Sequence, residues 1–100
     1  MKGRVVFEIH LKEGRENDFL QAYEAIRHLV AQGVRGHIVD QVCRADDDPR
    51  KWLITSEWES IDAFLEWERT PGHRDLVKPM RECWDEAKST KYTVLLETAH

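Results

Sequence analysis

Basic clusters, long apolar runs and paired cysteines are all missing from this chain of 100 residues. Its 15 lysines and arginines are outnumbered by 19 aspartates and glutamates and do not gather into a basic face. Nucleic-acid affinity leans on such a face, which releases counterions from the phosphate backbone, so DNA and RNA are set aside as partners. No apolar stretch approaches the roughly 20 residues that span a bilayer. The opening MKGRVVFEIHLKEGRE alternates polar and apolar residues instead of forming a signal-peptide core. A membrane partner is set aside too, and a cytoplasmic location is expected. Cys43 and Cys83 lie far apart and belong to no C-x-x-C pair. That spacing argues against a disulfide framework or a zinc site and for two reduced thiols. There is no G-x-G-x-x-G after a strand, no P-loop and no two-histidine-carboxylate cluster with ligand spacing. Without a linker, low-complexity tract or tandem repeat, residues 1–100 read as one domain.

What is present is periodicity. Residues 4–11, RVVFEIHL, put Val5, Phe7, Ile9 and Leu11 on one face, the period-two pattern of a strand that Gly14 ends. Over 15–32, Phe19, Tyr23, Ile26 and Val30 recur at helical spacing, and Gly33 is a natural stop. Residues 36–44 and 51–59 read as two strands joined by the polar turn ADDDPR, whose Pro49 cannot sit in a central ladder. Ser60 caps a short helix, IDAFLEWER, with Phe64 and Trp67 three apart. Thr70 and Pro71 open another, expected to run through about Lys88 with Leu76, Met80, Cys83, Trp84 and Ala87 on one side. A last strand is expected over 91–98.

The order strand, helix, strand, strand, helices, strand is an α+β, ferredoxin-like arrangement, an antiparallel sheet with its helices on one face. The strands carry apolar residues toward both sides: Val6 beside Phe7, Ile38 beside Val39, Trp52 beside Leu53. The uncovered sheet face therefore calls for a second sheet, and a homodimer is expected.

The tryptophan of SEWES, the following IDAFLEWE, the TPGHR helix start and the strand KYTVLLE together resemble the antibiotic biosynthesis monooxygenase superfamily, the dimeric α/β-barrel fold, over nearly the whole chain. HIVDQVCR, WLITSEWES and PGHRDLVKPMRE are similar, more narrowly, to small proteins found beside aromatic polyketide synthases in actinobacteria. The resemblance implies a cofactor-independent oxidation of an anthrone- or phenol-type polyketide to a quinone, with that substrate and dioxygen as the small-molecule partners. An electron-rich phenol, once deprotonated, itself gives an electron to dioxygen; the protein holds the substrate, stabilises its anion and excludes water.

By the same resemblance Trp58, Trp67 and Phe7 face the pocket, although each also suits plain core packing. Phe64 and Trp84 complete its aromatic lining. His73 and His37 are the two candidate bases, His73 because the positive end of a helix dipole keeps a first-turn imidazole neutral. His10, His28 and His100 are set aside. Arg74 is a candidate cation for an enolate or phenolate, and Tyr23 a hydroxyl that needs a partner on the buried stripe of its helix. Of Asp40 and Gln41, one faces the helices and the other the outer face. Two rival readings stand beside the oxygenase: a polyketide cyclase or folding partner, and a haem-binding or haem-degrading protein. In the haem-degrading branch Phe7 stands at the family's asparagine, Trp67 at its tryptophan, and Leu76 and Val77 near its iron-ligating histidine, with His73 about one turn earlier.

Overall fold

Alternation in GRVVFEIHL makes a strand with one dry face: β1 (Gly3–Leu11) buries Val5, Ile9 and Leu11. The computed structural model describes residues 1–99; the side chain of Ala31 and the whole of His100 lie outside the described residues. Helix α1 (Glu16–Gly33) brings Phe19 and Ile26 into one core cluster with Ile9, Leu11 and Trp52. Strands β2 (His37–Arg44) and β3 (Lys51–Trp58) follow, then α2 (Ile61–Glu68), α3 (Pro71–Arg81) and β4 (Trp84–Thr93). The sheet order is β2-β3-β1-β4, every neighbouring pair antiparallel, so the ferredoxin-like expectation holds. A second core cluster of Val5, Trp58 and Phe64 seats α2 on the sheet. No described helix is long and apolar enough to cross a membrane.

Both expected caps form. Ser60 Oγ accepts from the Ala63 amide, and Thr70 Oγ1 accepts from the His73 amide with Pro71 in the first turn of α3. These contacts satisfy amides that a helix start otherwise leaves unpaired.

The end of α3 differs from expectation. The helix stops at Arg81, and residues 84–93, expected as helix for half their length, are strand. Asp85, Glu86, Ala87 and Lys88 are poor strand formers, and the last three are good helix material, so local propensity points the wrong way. Pairing decides it: β4 runs along the whole of β1, from Gly3 opposite Thr93 to Leu11 opposite Trp84, and satisfies that strand's second edge. Val94 to Thr98, expected as strand, lie beyond it, with Leu95 and Leu96 76% and 94% exposed.

At the start of β2 the pairing slips. His37 lies opposite Trp58, but Val39 is already opposite Glu57, so an extra residue is accommodated at Ile38. Such a bulge reverses the side-chain alternation beyond it. His37 and Val39 therefore do not share a face as strict alternation predicts; Ile38 and Val39 are both 43% exposed, and His37 and Asp40 point the same way, joined by a hydrogen bond.

Candidate active site

A cavity of about 220 Å³ lies between the sheet and the helices. Its apolar wall begins with Val5 and Phe7 on β1 and Ile54 on β3, which follow from the strand periodicity. Trp58 closes the end of β3, 1% exposed, its indole Nε1 donating to Ser56 Oγ at 2.9 Å. Phe64 and Trp67, three apart on α2, reach it from one helix face. Trp58 meets Phe64 edge-on at 5.2 Å between ring centroids and stacks on Trp67 at 5.6 Å with 29° between planes.

An imidazole stands at each end of this indole pair. His73 meets Trp67 edge-on at 4.4 Å, and His37 meets Trp58 edge-on at 5.2 Å. The four rings form a continuous row drawn from β2, β3, α2 and α3. Thr70 braces one end of it, donating from Oγ1 to the Trp67 carbonyl at 2.7 Å while capping the His73 amide.

His73 has its pKa lowered, first by burial and further by the charge of Arg81, with Glu68 acting in the opposite sense. A neutral imidazole was expected there; the leading cause is desolvation of the charged form rather than the helix dipole. At the other end, His37 Nε2 lies 2.8 Å from Asp40 Oδ1, with only 4% of the His37 side chain exposed. Tyr23 of α1 donates its hydroxyl to the other oxygen of Asp40. Burial first, then that hydrogen bond and the carboxylate charge, raise the Tyr23 pKa, so the phenol keeps its proton.

Phe7, Tyr23, His37, Trp58, Phe64, Trp67, His73 and Trp84 all border this cavity. Trp84 does so as the first residue of β4, packed edge-on against Phe7 at 5.2 Å, and not from a helix as expected. Arg74 does not border it: the side chain is exposed, because successive helix residues turn by about 100° and the neighbour of a cavity-facing His73 points elsewhere. The guanidinium on the cavity side of α3 belongs to Arg81, which continues the face of His73, Val77 and Met80. That spacing is visible in the sequence once the helix face is known. Asp40 carried no such signal, since regular alternation separates it from His37. Among the described residues no three His, Cys, Asp or Glu side chains come close enough to hold a metal ion together.

Residues 3–79 match the family model described as antibiotic biosynthesis monooxygenase. The chain is 44% identical over 95 residues to a 42.8 kDa protein in the whiE locus of Streptomyces coelicolor, covering 95% of this chain and 24% of that protein. It is 42% identical over 96 residues to protein SchA of Streptomyces halstedii, covering 96% of this chain and 25% of SchA. The chain thus spans about a quarter of the length of the curated relatives it matches. Among solved structures, SnoaB, a cofactor-independent oxygenase from Streptomyces nogalater, superposes with a TM-score of 0.84 at 15% identity, over 99% of this chain and 98% of that one, a likeness of fold. With a family match over residues 3–79 and relatives 44% and 42% identical along nearly its whole length, the chain belongs to the antibiotic biosynthesis monooxygenase family.

Proposed function

We propose that the protein is a monooxygenase that oxidises an aromatic polyketide of the anthrone or phenol type to a quinone with dioxygen, the substrate itself supplying the electrons. The observation that carries this reading is the row of rings: two stacked indoles bordering an apolar cavity, with an imidazole at each end. A planar substrate held against Trp58 and Trp67 has a proton acceptor within the same cavity, and the apolar walls keep water from the anion that forms.

The chemistry balances without an outside reductant. Loss of a proton leaves an electron-rich anion, which passes one electron to dioxygen; the substrate radical and superoxide join, and the peroxide anion takes the proton back. At a CH2 carbon the hydroperoxide then loses water, breaking the O–O and remaining C–H bonds and leaving C=O. One dioxygen is consumed, one oxygen atom enters the product and the other leaves as water.

The expected result is dioxygen uptake by chelator-treated protein given anthrone or dihydroxynaphthalene, with quinone formed in step. Trp67→Phe, which shortens the stacking surface and frees His73, is expected to slow turnover at least about tenfold, as misplacement of a bound reactant does. Uptake no faster than in buffer sinks the reading, and altered ring closure of a polyketide without oxygen consumption favours a cyclase instead.

We also place a second copy of the chain on the outer face of the sheet. Ile38, Val39 and Tyr92 are exposed on the strands and Leu95 and Leu96 just beyond them, apolar side chains that a second copy would cover. Sedimentation is expected to return twice the 11.8 kDa chain mass; a monomer at micromolar concentration rejects the assignment.

A further inference from the structure

The histidine that packs on Trp58, His37, is held in a way that His73 is not. Asp40 receives two donors, the Tyr23 hydroxyl at Oδ2 and His37 Nε2 at Oδ1. A carboxylate only accepts, so Nε2 carries the hydrogen, and in the neutral ring the lone pair is then on Nδ1, the tautomer a proton acceptor needs. Nδ1 makes no hydrogen bond to the described residues and is not among their buried unpaired atoms, which leaves it as the ring's free acceptor. Trp58 fixes the plane of the ring edge-on. His37, Asp40 and Tyr23 all border the cavity, and the bulge at Ile38 is what turns His37 and Asp40 to the same side.

Resting on the oxygenase reading, we propose that His37 is the residue that takes the substrate's proton, with Asp40 and Tyr23 as positioning residues that hold its tautomer and plane. The substrate O–H or C–H bond breaks, an N–H bond forms at Nδ1, and the electron pair stays with the substrate as its anion. The positive charge gained by the ring is met by the Asp40 carboxylate at 2.8 Å. Tyr23, which stays protonated, spends its only donor on the other oxygen and keeps the carboxylate from turning away. After dioxygen adds, the same proton returns from Nδ1 to the peroxide anion, and His37 ends as it began.

His73 lacks this arrangement. No carboxylate hydrogen-bonds its ring among the described residues; burial disfavours its charged form, which the Glu68 charge favours only through space and the lining guanidinium of Arg81 opposes. Its role is that of a neutral hydrogen-bonding group against the substrate. The two imidazoles of one cavity therefore divide the work, one moving the proton and the other holding position.

The test reads proton transfer without oxygen. Dihydroxynaphthalene is mixed anaerobically with the protein and its phenolate absorbance recorded. The native protein is expected to raise the phenolate fraction; His37→Gln lowers it about tenfold or more, Asp40→Asn lowers it severalfold, and added imidazole restores it in His37→Ala. In aerobic turnover Asp40→Asn and Tyr23→Phe are expected to lower kcat with KM within about twofold, the mark of an interaction made in the transition state and not of a loosened fold. Phenolate that persists in a folded His37→Gln, or that disappears in His73→Gln instead, overturns the proposal. So does a native protein that raises no phenolate, whether the probe stays neutral or fails to bind. Phenolate formation without dioxygen uptake would instead reject the oxygenase reading and leave the assignment of His37 standing.

Discussion

Trp58→Ala is expected to lower the unfolding free energy by about 3–5 kcal/mol, the usual range for deleting a large buried aromatic. The size follows from how many neighbours lose a surface. Phe64 and Trp67 of α2 and His37 of β2 all rest on this one ring, which is 1% exposed. Trp58 also belongs with Val5 and Phe64 to the smaller of the two core clusters, the one against which Ile61, Ala63, Leu65 and Trp67 of α2 pack. A hole there cannot close by a small shift of one side chain. Trp58→Phe is the control, since it keeps a ring and gives up the hydrogen bond to Ser56; its expected loss is about half as large. Urea unfolding followed by far-ultraviolet dichroism separates the two, and a loss below about 1 kcal/mol in Trp58→Ala would mean that the ring does not organise this end of the molecule.

Gly36→Ala is the second large effect, expected at about 2–5 kcal/mol from two independent causes. Gly36 has φ of +86°, where an L-residue with a Cβ pays roughly 1–2 kcal/mol. An added Cβ would also stand 2.6 Å from the Ala63 Cβ of α2, and relieving such a contact costs about 1–3 kcal/mol in a packed site. The double variant Gly36→Ala/Ala63→Gly removes the collision and leaves the backbone strain, so it is expected to recover part of the loss and no more. Full recovery would show that the left-handed conformation carries no cost. A single variant within about 0.5 kcal/mol of the native protein would remove both causes. Since Gly36 precedes His37 directly, the substitution also tilts the imidazole, and activity is expected to fall further than stability alone accounts for.

Most of this architecture can be read from periodicity. The alternation of Val5, Ile9 and Leu11 and the helical stripe of Phe19, Ile26 and Val30 both end up in the core, because each pattern suits only one kind of element. The caps at Ser60 and Thr70 are local chemistry and are equally legible. Residues 84–93 are not, because their strand character comes from the free edge of β1, some eighty residues away in the chain, and not from Asp85, Glu86, Ala87 and Lys88. At the cavity the rings are legible and the polar partners are less so. Trp58, Trp67 and His73 occupy positions that a helix face or a strand end dictates. Asp40 comes to His37 only through a slip in pairing register, and Arg81 takes the cavity position expected of Arg74 because helix geometry, not sequence adjacency, selects it.

The bulge at Ile38 makes the site a matter of counting. A β2 of the same length paired regularly with β3, without the bulge, would keep every side chain there of the right kind. His37 and Asp40 would nonetheless face opposite sides of the sheet. Register at this point, more than composition, is then what distinguishes a chain able to pair these two groups from one with the same fold and the same residues that cannot.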